Sequence, residues 1–167
     1  RLLLVGEAPG YQGCHFSGVP FTNERLIVDG KVPGVPAVRF TKREKPWSEP
    51  SATVVWGTLH ELGIAADVVM WNAFPCHPHN PGEPMSNRTP TRAELIAGAP
   101  VLKAVVEHFS TALVIAIGQK SKQLLSSLGV FCSGHVRHPS MGGANEFREG
   151  MRRIVSVDEL HRKSLVV

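Results

Sequence analysis

Three short apolar runs punctuate the chain, and each leads into a turn-forming or polar residue. Leu2-Leu3-Leu4-Val5 runs straight into Gly6. Val68-Val69-Met70-Trp71 ends at Asn72, and Ala112-Leu113-Val114-Ile115-Ala116-Ile117 ends at Gly118. Continuous runs without polar alternation suit parallel strands covered on both faces. Strands are predicted over residues 1–8, 67–74, 111–118 and 130–138.

Helical spacing lies between these runs. Val55, Leu59 and Leu62 make one stripe, with Ser51 in the N-cap place after Pro50 and Gly63 at the end. Leu95, Ala99, Leu102, Val106 and Phe109 repeat at 4-3-4-3 and share a face. Pro100 interrupts that stripe and predicts a kink or a new helix. Lys120 to Leu128 reads as a short helix closed by Gly129, and Phe147, Met151 and Ile154 mark a last one. Strand and helix alternate throughout, which predicts an α/β fold with helices on both faces of a parallel sheet. Residues 29–49 and 75–91, the latter with five prolines, read as long loops. Loops of this length are commonly functional.

Composition narrows the picture. A chain of 167 residues suits one domain, expected to cover residues 1–167. The 43% hydrophobic content is ordinary for a globular protein. No apolar run reaches 18 residues, so no membrane span is predicted. The chain opens on a strand rather than a secretion signal, abruptly enough to suggest a natural N-terminal extension. A net charge of +4 agrees with a polyanionic partner without requiring one. Three scattered cysteines, Cys14, Cys76 and Cys132, argue against a disulfide framework and favour a reducing cytoplasm.

Open parallel sheets bind ligands beyond the carboxyl ends of their strands. Here those ends deliver Glu7, Asn72, the turn Gly118-Gln119-Lys120-Ser121, and His138. A carboxylate, an amide, a helix start and an imidazole on one rim can read a base edge, hold a phosphate and steady an anion.

Three motifs sharpen this reading: Gly6-Glu7-Ala8-Pro9-Gly10, Ser17-Gly18-Val19-Pro20-Phe21-Thr22 and His138-Pro139-Ser140. In this order the chain resembles the uracil-DNA glycosylase superfamily, nearest in motif to its family-four-like iron–sulfur branch, over residues 1 to about 152. The resemblance implies a three-layer α/β/α fold with a four-stranded parallel sheet in the order 2-1-3-4. It implies a DNA-repair enzyme that flips uracil out of DNA and hydrolyses its N-glycosidic bond, leaving an abasic site and free uracil. Glu7 and His138 would be the catalytic residues, His138 donating to uracil O2. Gly6, Ala8, Pro9 and Gly10 would shape the base pocket, and Phe21 would stack on the base. Asn72, whose amide carries both a donor and an acceptor, would pair with O4 and N3–H and reject cytosine. Ser140 would hold the loop or a phosphate, and Met141 would wedge into the duplex. Asn87-Arg88-Thr89-Pro90 matches a further element of that branch. Arg88, Lys120, Ser121 and Arg137 are the remaining candidate DNA contacts.

Departures from the family pattern matter as well. Other branches place an acid or amide where Ala8 stands, so Glu7 must substitute or leaving-group stabilisation must carry most of the rate. Gly10 stands where another branch has a bulky Tyr that excludes thymine. Either thymine or damaged bases are admitted, or another residue such as Gln12 excludes them. Cys76 falls where one family cysteine does, but Gly98 occupies the place of another and the upstream pair would precede residue 1. No iron–sulfur cluster, metal or other cofactor is therefore expected. Cys76-His77-Pro78-His79 lacks a fourth ligand. The expected partner is uracil-containing DNA, bound by a monomer at a bacterial nucleoid. Two alternatives stand beside this reading: a non-catalytic or covalently trapping uracil-DNA binder, and a small-molecule enzyme holding a phosphate at Gly118-Gln119-Lys120.

Overall fold

The computed structural model describes residues 1–164. In chain order the elements are β1 Leu2–Gly6, α1 Cys14–Ser17, α2 Glu24–Val28, α3 Pro50–Glu61, β2 Val68–Asn72, α4 Arg92–His108, β3 Leu113–Ile117, α5 Gln119–Ser127, β4 Gly134–Val136 and α6 Ala144–Ser164. The four strands make one sheet in the order β2-β1-β3-β4, parallel throughout. This is the expected topology, and it brings all four carboxyl ends to one edge.

Strand alternation divides the core into two. Leu2, Leu4, Met70, Ile115, Ile117 and Val136 pack with α3 and α6 through Val55, Trp56, Leu59, Phe147 and Met151. Leu3, Val5, Val114 and Ala116 pack on the other side with Leu102 of α4 and Leu125 of α5. Leu3, Leu4 and Val5 are all fully buried, which explains the unbroken apolar run. Truncating such a leucine to alanine costs about 2–5 kcal/mol.

Several boundaries differ from the sequence reading. The strands are shorter, and β4 spans only Gly134–Val136. A short edge strand offers little unpaired backbone to other chains. Helix α3 starts one residue before Ser51: Pro50 occupies its first turn and Glu49 is the N-cap. Proline suits that place because it has no N–H to satisfy there. Helix α4 runs through Pro100 as one element. Pro100 lies on the exposed face, so water can serve the carbonyl that loses its helical donor. Helices α1 and α2 were not predicted; four and five residues are too short to show periodicity.

The two long loops contain no helix or strand beyond one isolated bridge, Asn80 with Glu83. Each is organised by a carboxylate. Glu24, with 0% exposure, accepts from the backbone N–H of Phe40, Thr41 and Trp47, from the Thr41 hydroxyl and from Arg39. Burial opposes its charge, but those hydrogen bonds prevail and bring its pKa down to about 2. Glu94 accepts from Arg88 through both carboxylate oxygens, at 2.7 Å each, and completes a capping box with Thr91. No described helix is long and apolar enough to cross a membrane.

Candidate active site

The carboxyl edge of the sheet opens into a cleft of about 1130 Å³. Its lining includes Glu7, Ala8, Pro9 and Gly10 from the turn after β1, Asn72 from the end of β2, and Phe21. His138, Ser140 and Met141 come from the loop after β4, and Arg88 from the second long loop. A second cleft of about 550 Å³ lies behind Glu7, His138 and Ser140, reaching Gly118, Lys120, Ser121 and Arg137. Residues more than a hundred positions apart thus meet because parallel strands end together.

Gly6 explains how the pocket floor closes. A Cβ there would stand 2.5 Å from Phe21 Cζ and 2.6 Å from Asn72 Oδ1, so only glycine lets both side chains converge on the end of β1. Phe21 is 8% exposed, and its ring lies 6.0 Å from that of His138. Asn72 Nδ2 donates to Cys14 Sγ at 3.7 Å, which orients the amide plane. Burial first, then the carboxylate of Glu49, pushes the Cys14 thiol up to about 12, so it stays protonated.

His138 is held by a single neighbour. The Ser140 backbone N–H donates to His138 Nδ1 at 3.2 Å, and Ser140 Oγ lies 2.7 Å from the same nitrogen. A nitrogen that accepts a backbone N–H bears no proton, so the neutral ring carries its proton on Nε2. Burial, aided by the charge of Arg137, lowers the His138 pKa from its ordinary value and favours the neutral ring. The result is an oriented neutral donor.

Two residues here adopt backbone conformations that side chains disfavour. Among the described residues Phe21 and Met141 alone are non-glycine with positive φ, at +51° and +52°. Such strain is kept where surrounding structure enforces it, frequently at ligand sites. Met141 is 91% exposed at the rim, while Phe21 lies inside.

The basic candidates fare differently from one another. Lys120 Nζ lies 3.2 Å from Glu7 Oε1 and also contacts Thr89 Oγ1. Arg137 stays exposed on the rim near Glu146 and the Met141 carbonyl. Arg88 lines the cleft but spends its guanidinium on Glu94 and on the carbonyls of His79 and Thr89, so it braces the loop. Ser121 lines the second cleft but is 1% exposed and donates its hydroxyl to the Ile117 carbonyl. Its place in the first turn of α5 buries it against the end of β3.

The sequence reading gives two pocket residues, Glu49 and Cys14, no part in the site. Asn87, singled out only within its motif, lines the cleft with them, and its Oδ1 accepts from the Tyr11 N–H at 2.9 Å. An acid directly before a helix-starting proline marks an N-cap, but nothing local says which way its side chain turns.

The residues present do not supply an iron–sulfur ligand set. Cys76 is exposed, and Gly98 faces the Ala73 carbonyl so closely that a Cβ would stand 2.7 Å from it. No metal-holding group of three His, Cys, Asp or Glu side chains occurs among the described residues.

No curated protein matches the chain. The family model of the Uracil DNA glycosylase superfamily matches residues 1–157, which takes in every strand and the whole rim just described. A match over so much of the chain, on a sheet of this order, makes the protein a member of the Uracil DNA glycosylase superfamily.

Proposed function

We propose that this protein is a monofunctional uracil-DNA glycosylase. The observation that carries the reading is the meeting of Phe21, Asn72 and His138 in one cleft beside Glu7. A uracil swung out of the DNA stacks on Phe21, at an unstacking cost of a few kcal/mol. Asn72 offers N–H to O4 and its carbonyl to N3–H, so cytosine, which presents the opposite pattern, is refused.

Bond cleavage leaves negative charge on the base and positive character on the sugar. His138 Nε2–H meets the charge growing on O2, and its orientation by Ser140 spares reorganisation during the reaction. With Ala8 unable to orient water, Glu7 takes that part. Its carboxylate, anchored by Lys120, leaves lone pairs for a water and stands as a counter-charge to the sugar cation. Met141 fills the gap in the stack, and Arg137 and Lys120 meet backbone phosphates. Uracil and an abasic site leave as products, with no cofactor in any step.

The test is incubation with uracil-containing oligonucleotides, followed by alkaline strand breakage. Cleavage at uracil is expected, with no covalent adduct on denaturing gels. His138→Ala should lower the single-turnover rate about 10²–10³-fold, the scale of losing one donor to a developing anion, while DNA affinity holds. A wild-type protein that binds uracil DNA but releases no base would reject the enzyme reading.

A further inference from the structure

Glu49 is an acid at a helix start that does not act as a cap. It occupies the N-cap of α3, yet its side chain accepts no hydrogen bond from the helix. Acids in that place ordinarily accept from the exposed N–H groups of the first turn. Its backbone carbonyl is engaged instead, by Asn23 Nδ2 and the Thr53 hydroxyl. The carboxylate has no hydrogen-bond or ion-pair partner among the described residues, and it lines the cleft.

Its position is defined by two glycines. A Cβ on Gly13 would collide with Glu49 Oε2, and one on Gly10 would lie 3.6 Å from the same atom. The carboxylate therefore fills space that side chains at 10 and 13 would otherwise take. It also sits close enough to Cys14 to raise the thiol's pKa, and Cys14 in turn touches Asn72.

This row locates Glu49 against the base. Around a uracil ring the order is O2, N3, O4, C5. With His138 at O2 and Asn72 at N3 and O4, the group beyond Asn72 faces C5. Asn72 touches Cys14 and Cys14 lies beside Glu49, so this row supplies that wall. We propose that Glu49 is a specificity-determining residue whose side-chain bulk closes the pocket at C5 and excludes pyrimidines with a 5-methyl group. It does from α3 what the bare Gly10 cannot. The inference rests on the base-flipping reading above. Glu49 is half-buried, and that burial raises its pKa from the ordinary carboxyl value. Gln12 also lines the cleft, but the group nearest a Cβ at Gly10 is Glu49.

The experiment compares wild type, Glu49→Ala and Glu49→Gln on single-stranded oligonucleotides carrying uracil or thymine. Cleavage is measured, and so is binding of 2′-fluoro analogues, whose fluorine suppresses the sugar cation and prevents cleavage. Glu49→Ala should raise the thymine-to-uracil ratio roughly tenfold or more, the scale on which one methyl is discriminated. Glu49→Gln, of equal size, should keep the wild-type ratio. An unchanged ratio in Glu49→Ala, or equal loss of discrimination in Glu49→Gln, overturns the proposal. If wild type cleaves nothing yet Glu49→Ala still shifts the binding ratio, the glycosylase reading fails and the assignment of Glu49 stands.

Discussion

Glu24 and Glu49 lie at opposite ends of the same stretch, and the protein treats them in opposite ways. Glu24 is fully buried and saturated with donors from residues 39–47. Its charge is held by the fold, with a pKa near 2. Glu49 is desolvated against the cleft with no donor, and its pKa moves the other way. A satisfied carboxylate organises a loop; an unsatisfied one at a cavity wall signals a site. The contrast also explains the length of the loop between them. Residues folded around Glu24 lead the chain back so that Glu49 and α3 can wall the base pocket.

The largest effect that tests this contrast is on stability. Glu24→Ala strips the anchor from the N–H groups of Phe40, Thr41 and Trp47 and should cost about 3 kcal/mol. Urea unfolding, with limited proteolysis of residues 39–47, measures it. A variant as stable as wild type would erase the distinction between the two acids.

A pH series separates them by sign. Glu24 has a folded pKa below its unfolded value of 4.5. Its contribution is complete above pH 4.5 and is lost as pH falls towards 2. Glu49, with a raised folded pKa, does the reverse: its ionisation weakens the fold as pH rises from 4.5 through the folded value. Stability differences between wild type and Glu24→Gln should therefore shrink in acid, and those between wild type and Glu49→Gln should shrink there too but with opposite starting sign. Parallel curves of the same sign would break the comparison.

The smallest effect is the most pointed. At neutral pH Glu49→Gln removes an unpaired, desolvated charge and should raise the thermal midpoint modestly. Function-bearing residues commonly lower stability in this way. A lowered midpoint would mean that the carboxylate has a structural partner and belongs with Glu24.

Much of the scaffold is legible in the chain because it rests on local signals. Unbroken apolar runs report burial on both sheet faces, and stripes such as Leu95, Ala99 and Leu102 report helix faces. Family motifs marked Glu7, Phe21, Asn72 and His138 because each motif ties a side chain to a turn at a strand end. Of the two outcomes that Pro100 allowed, the start of a new helix is excluded, because α4 runs through it as one element. The commitments of Ser121 to Ile117 and of Arg88 to Glu94 were not legible, because residue type announces capacity for a phosphate but not the partners that the fold supplies.

Sequence alone thus determined the four strands, the four longer helices and the order in which chemical groups arrive at the rim, since each depends on neighbours a few residues away. Only the tertiary structure decided that Ser140 sets the tautomer of His138, that Gly6 lets Phe21 meet Asn72, and that Glu49 turns away from its own helix to stand over Gly10 and Gly13. Those outcomes depend on contacts between distant segments, where close packing and competition for hydrogen-bond partners choose among orientations that the local chain leaves equally open.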